Sequence, residues 1–184
     1  MRHHFVAERE KSLLLLIDLQ EAMAKVIEEW QETVRRVNQL IGAAEILDIP
    51  ILVTEHYRKG LGETLREVGL PAGKAALFQK EYFSACLEED FLKTVAGFNR
   101  KQVVVAGMET HVCVLQTALD LIQAGYQVHL VKNAVASRFQ EDRQAAVDLF
   151  REAGAVITTA EIVIFQWARR SNTDLFRKLL PIVK

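Results

Sequence analysis

The sequence predicts an α/β protein: a three-layer αβα sandwich built on a central parallel, Rossmann-like sheet. Two observations carry this expectation. Short apolar runs such as Leu13-Leu14-Leu15-Leu16-Ile17 and Val103-Val104-Val105-Ala106 are continuous rather than alternating, the pattern of strands buried on both faces. Between such runs lie longer segments whose apolar residues recur every three or four positions, as in helices packed on a sheet. The strand and helix patterns alternate along the chain, which is the order of a parallel α/β fold.

The first strand runs from Leu13 to Ile17 and ends at Asp18. Val34, Val37, Leu40, Ile41, Ala44 and Leu47 then form the apolar face of a helix that stops before Ile49-Pro50, and Ile51 to Thr54 is the second strand. Glu55 to Lys74 holds Gly60, Gly62, Gly69, Pro71 and Gly73 without sustained periodicity. It is expected to be a long loop with short helical turns, placed as a lid over a binding site. Ala75 to Gln79 is a strand ending at Lys80. Leu87 to Val95 reads as a helix, Val103 to Ala106 as a strand, and Cys113 to Ala124 as a helix stopped by Gly125. Tyr126 to Val131 is a strand, Glu141 to Ala153 a helix stopped by Gly154, and Ala155 to Thr158 the last strand. Glu161 to Trp167 is too apolar for a free tail, and Asp174 to Leu180 has helical character. This end is expected to pack back or to dimerise, with Phe165 and Trp167 favouring a homo-oligomer. No repeat, linker or composition shift divides the chain, so residues 1–184 read as a single domain.

Half of the 184 residues are hydrophobic, enough for one sizeable core. Lys plus Arg (23) and Asp plus Glu (24) nearly cancel, so no overall field recruits nucleic acid or an anionic membrane. The expected partner is a small molecule, neutral or modestly charged. Met1 to Lys11 carries charges of both signs, and the apolar run after it stops at Asp18, too short for a signal peptide or membrane span. A cytoplasmic location follows. There, Cys86 and Cys113 are expected as free thiols. His3-His4 reads as a flexible terminal arm, and Gly60-Leu61-Gly62 lacks the lysine, serine and strand context of a phosphate loop.

Three polar residues follow apolar strands and carry the candidate chemistry. Val103 to Ala106 leads through Gly107-Met108-Glu109-Thr110-His111-Val112 to Cys113, placing a thiol at a helix start. Unpaired N–H groups and the helix dipole there favour an anion, so a lowered thiol pKa is expected. Asp18 and Lys80 end two other strands, and ligands in open parallel sheets gather at such carboxyl ends. A carboxylate accepts the thiol proton, a lysine supports the anionic state, and helix-start amides receive an oxyanion: together, the needs of amide hydrolysis. Taken singly, Cys113 reads as an inert buried side chain, Asp18 as a helix cap and Lys80 as a solvated charge. Their joint occurrence favours catalysis.

Asp18-Leu19-Gln20, Lys80-Glu81-Tyr82-Phe83-Ser84-Ala85 and Gly107-Met108-Glu109-Thr110-His111-Val112-Cys113-Val114 resemble the three motifs of the isochorismatase-like cysteine hydrolases. Gly125-Tyr126-Gln127-Val128 and Gly154-Ala155-Val156-Ile157-Thr158-Thr159 resemble that family too. Glu109-Thr110-His111-Val112-Cys113-Val114 and Thr54-Glu55-His56-Tyr57-Arg58-Lys59-Gly60-Leu61-Gly62 are most similar to its isochorismatase domain-containing subgroup. The resemblance implies hydrolysis of a non-peptide C–N bond through a thioester-type intermediate. Cys113 would be nucleophile, Asp18 proton acceptor and Lys80 electrostatic support. It further implies a cis peptide at Met108-Glu109 and an oxyanion hole from the amides of Glu109 and Cys113. Gln20, Tyr57, Tyr82, Met108 and His111 are candidate substrate contacts.

Some relatives hold a metal through an Asp-x-His pair and further histidines. Here Glu55 and His56 are adjacent, face opposite ways in an extended chain and have no second histidine nearby, so no metal or other cofactor is expected. The alternative to an enzyme is an interaction or redox-sensing protein that retains the scaffold and the reactive thiol.

Overall fold

The computed structural model describes residues 2–184. Six strands, β1 (Ser12–Ile17), β2 (Ile51–His56), β3 (Ala75–Lys80), β4 (Gln102–Met108), β5 (Gln127–Ala136) and β6 (Val156–Thr158), form one sheet in the order β3-β2-β1-β4-β5-β6. Every neighbouring pair is parallel. The chain builds outward from β1 to β3, then returns to the other side of β1 with β4, so the strand order reverses between β1 and β4.

Successive residues of a strand point to opposite faces, and β1 divides its leucines accordingly. Leu14 and Leu16 join Val104, Val37, Leu40, Trp167 and Leu179 on the face covered by α2 (Trp30–Ile46), α7 (Ala160–Ala168) and α8 (Asp174–Val183). Leu13, Leu15 and Ile17 join Val103, Val105, Phe91, Leu121 and Phe150 beneath α4 (Phe91–Gly97), α5 (Leu115–Gln123) and α6 (Gln140–Glu152). Three layers result, with apolar burial on both faces at about 1.5–3 kcal/mol per large side chain.

Several segments depart from expectation. The predicted helix from Leu87 to Val95 is interrupted: a 3₁₀ turn covers Ala85–Leu87, and α4 begins only at Phe91. The Glu88 carboxylate between them turns back to accept from the amides of Glu81 and Tyr82. The segment after β2 is pinned rather than a free lid. It contains the helical turn α3 (Arg58–Leu61), a bridge between Gln20 and Thr64, and buried Leu65 and Val68. Strand β5 runs past Val131 to Ala136. Lys132 and Asn133 interrupt its apolar pattern, and pairing to β4 resumes after a bulge, with Gly107 opposite Val135.

The termini are also tied down. His4 O accepts from Gln127 Nε2, and Ala7 N donates to Gln166 Oε1 at 2.9 Å, so the amino-terminal arm lies against β5 and α7. Trp167 is fully buried and donates through Nε1 to Ser12 Oγ at 2.9 Å. Phe165 keeps partial exposure and meets Phe176 edge-on. The carboxyl-terminal apolar segment therefore packs back on the sheet, and Trp167 offers nothing to a second copy.

Candidate active site

The carboxyl ends of β1, β2, β3 and β4 converge at the reversal of strand order. Gly107 permits the approach of β1 and β4: its φ is +138°, and an added Cβ would lie 2.0 Å from Ile17 O. Asp18 leaves β1 in the left-handed region at φ 51°, with its N–H donating to Thr54 O at 3.1 Å. Thr54 Oγ1 donates to Asp18 Oδ1 at 2.6 Å. One carboxylate oxygen is thus oriented from β2. Lys80 ends β3 with its side chain fully buried, and Nζ stands 2.7 Å from Asp18 Oδ2. That contact is a buried ion pair. Nζ also donates to the carbonyls of Tyr82 and Phe83, at 3.2 Å each.

Cys113 lies in a π turn, Thr110–Val114, that precedes α5, rather than at the first residue of an α-helix. The residue is 7 % exposed. The expected lowering of its pKa is overturned: burial first, then the Asp18 carboxylate, pushes the thiol up to about 12, with Lys80 opposing. Desolvation outweighs the dipole of the turn. The group is a thiol held beside a carboxylate, not a standing thiolate.

The Met108–Glu109 peptide bond is cis. Val112 and Val114 both donate their N–H groups to Glu109 O, at 3.2 Å each, and neither bond uses the intervening Cys113 N–H. The Glu109 carboxylate accepts from Arg138 N and Nε at 3.0 Å. His111 Nδ1 lies 3.0 Å from Ser137 Oγ, and Nε2 is 3.8 Å from Asp142. The extension of β5 delivers Ser137 and Arg138 to these partners.

Two expected substrate contacts serve the scaffold instead. Gln20 is fully buried, and its amide is spent on His56 N, His56 O and Gly62 O. Met108 is buried in the cluster of Leu16 and Val53, across the sheet from Cys113. Tyr57 and Tyr82 are exposed at the rim. Tyr57 and Lys80 share a recess of about 180 Å³ with Gln79 and Glu88. A larger recess, about 450 Å³, lies at the amino ends of the strands against Ile49, Pro50 and Phe98 and holds none of these residues.

Thr54 and Arg138 were not anticipated. Thr54 carried a usable signal, since it ends the apolar run Ile51-Leu52-Val53 as Asp18 ends that of β1. Nothing local marks Arg138. Among the described residues, no group of three or more His, Cys, Asp or Glu side chains could hold a metal ion, and no helix is long and apolar enough to cross a membrane.

The profile of the Isochorismatase domain matches residues 12–162 of this chain. Isochorismatase domain-containing protein 2A of Mus musculus is 37% identical over 176 residues, covering 95% of this chain and 84% of that protein. A structure described as MAR1 ribonuclease from Caenorhabditis elegans superposes with a TM-score of 0.90 at 37% identity, covering 97% of this chain and 92% of the other. An octameric hydrolase of unknown specificity from Escherichia coli gives 0.89 at 25% identity, with 98% and 94% covered. Fold, strand-end residues and sequence likeness agree: the chain belongs to the isochorismatase family of hydrolases, within the subgroup of isochorismatase domain-containing proteins.

Proposed function

We propose that this hydrolase cleaves a small amide, or a related non-peptide C–N bond, through a thioester on Cys113. One observation carries the proposal: the buried Asp18 carboxylate stands 2.7 Å from the Lys80 ammonium, and both groups act on the Cys113 thiol. Asp18 takes the thiol proton as Sγ attacks the carbonyl carbon, so the thiolate forms only during attack. The amides of Glu109 and Cys113 receive the developing oxyanion, and the Arg138 grip on the Glu109 carboxylate steadies that turn. Collapse breaks the C–N bond, and Asp18 returns the proton to the departing amine. Water then attacks the thioester and gives a proton to Asp18. The C–S bond breaks, the thiol is restored and a carboxylic acid leaves. Lys80 balances the negative charge throughout.

The burial of Cys113, 7 % exposed, limits the access of oxidants and counts against a redox sensor. Self-association is also proposed. Leu77 on edge strand β3, with Tyr82, Phe83 and Leu87 after it, are each at least half exposed. Light scattering at micromolar concentration tests this, and a monodisperse monomer refutes it. For the activity, a panel of small amides is scored for ammonia release while intact-protein mass spectrometry follows acylation. Turnover with a mass adduct on Cys113 supports the proposal; RNA cleavage without amide turnover, or turnover surviving Cys113→Ala, overturns it.

A further inference from the structure

His56 has no part in the proton path above, yet the fold holds it against that path. It ends β2 on the sheet face of Thr54 and stands opposite Lys80 in the β2–β3 register. The Gln20 amide grips its backbone on both sides: Oε1 accepts from His56 N at 2.7 Å, and Nε2 donates to His56 O at 3.0 Å. A fully buried side chain thereby fixes the His56 backbone and, through Gly62 O, the turn beyond it. The His56 ring leans on Phe83 with 5.4 Å between centroids, and the Phe83 carbonyl receives Lys80 Nζ. His56 Nδ1 is buried without a well-directed hydrogen bond, the Tyr82 backbone being the protein group nearest to bonding the ring. Such a nitrogen is costly to leave unmatched, and a substrate atom is one way to match it.

The charges around the nucleophile are already paired. Lys80 faces Asp18, Arg138 faces Glu109, and Arg58 faces Glu55 and Glu63. Burial, and next the nearby Lys80 charge, hold the His56 imidazole below its ordinary range, so the ring is neutral at neutral pH. A carboxylate entering beside His56 would meet Asp18, whose nearest cation, Lys80, is already paired with it; Lys59 lies farther out, in the recess of Tyr57.

We infer that His56 is a substrate-contacting residue, an uncharged wall whose free Nδ1 meets a polar group beside the reacting carbonyl, so that the site selects uncharged amides over anionic ones. The inference rests on Cys113 being the nucleophile. Iodoacetamide and iodoacetate serve as neutral and anionic probes of matched size, with alkylation of Cys113 and Cys86 followed separately by mass spectrometry at mildly alkaline pH. The ratio of the two Cys113 rates cancels the shared reactivity of the thiol. His56→Gln, neutral and still hydrogen-bonding, should keep the wild-type ratio within about twofold, whereas His56→Lys should raise the share of iodoacetate about tenfold through its added charge. His56→Phe should slow iodoacetamide about fivefold by removing the hydrogen bond, with His56→Gln restoring the rate. An unchanged ratio in His56→Lys, or a wild-type iodoacetamide rate in His56→Phe, overturns the inference. Cys113 labelling no faster than Cys86 in the wild type instead sinks the nucleophile assignment beneath it.

Discussion

Cys86 is partly buried and Cys113 buried, and in each the thiol is pushed up to about 12, first by burial and then by a nearby aspartate. What differs is the state of that aspartate. Beside Cys86, Asp120 takes the Ser84 hydroxyl at 2.5 Å on Oδ2, and no lysine or arginine contributes. Beside Cys113, Asp18 has the Lys80 ammonium at 2.7 Å from Oδ2, and the pair acts on the thiol together. On the proposed mechanism burial alone does not make a nucleophile. A carboxylate to take the proton, and a cation to balance the charge formed when it moves, distinguish the two places.

The strongest way to break this contrast is to remove each sulfur in turn. Cys113→Ala should lower amide turnover by about 10³-fold or more, and Cys86→Ala by less than about twofold, in ammonia-release assays. Equal losses would mean that the Lys80–Asp18 pair confers nothing on its neighbour. Removing the cation comes next. Lys80→Met leaves the Asp18 charge buried and alone, and urea denaturation should show a loss of about 3–5 kcal/mol. The double variant Lys80→Met, Asp18→Asn should regain part of that stability while remaining inactive, which separates folding from chemistry.

Thr54→Val sharpens the comparison with a smaller change. Loss of the hydrogen bond to Oδ1 frees the carboxylate to turn away from the thiol, and turnover should fall about tenfold while stability drops by about 1–2 kcal/mol. An unaltered rate would show that Lys80 alone orients Asp18.

The histidines repeat the contrast at the smallest scale. His56 borders the charged pair, whereas His129 is fully buried, has neither ring nitrogen partnered and is held down to about 4, mainly by burial. A histidine depressed on folding contributes stability above its unfolded pKa of about 6.5 and loses it as pH falls toward the folded value. Acid should therefore destabilise the protein between these values, and His129→Leu should flatten that part of the curve in denaturant titrations. A curve that does not change would place the acid-sensitive group elsewhere.

The strands β1, β2 and β4 were legible because each is a continuous apolar run too short for a buried helix and closed by a polar residue or a glycine, as a strand covered on both faces requires. The three candidate residues were legible for a related reason, Asp18 and Lys80 being polar where such a run stops and Cys113 lying in the turn that leads into the helix after one. Leu87 to Val95 misled because its apolar spacing suits a helix, while the Glu88 carboxylate is committed to the amides of Glu81 and Tyr82. Trp167 misled in the other sense. Its apolar surroundings read as a docking face until Ser12, distant in sequence, accepted its indole N–H.

By itself the sequence determined most of the strands and helices, and that an aspartate, a lysine and a cysteine stand at or just beyond strand ends. Those are local properties of residue spacing and side-chain type. Only the tertiary structure decided that β1 and β4 meet at the reversal of strand order, that Thr54 and Lys80 hold Asp18 from β2 and β3, and that Gln20 supports His56 instead of a ligand. The thiol's protonation was decided there as well. Burial and neighbouring charge are sums over the whole fold, and at Cys113 they outweigh the helix-start effect that sequence position alone predicts.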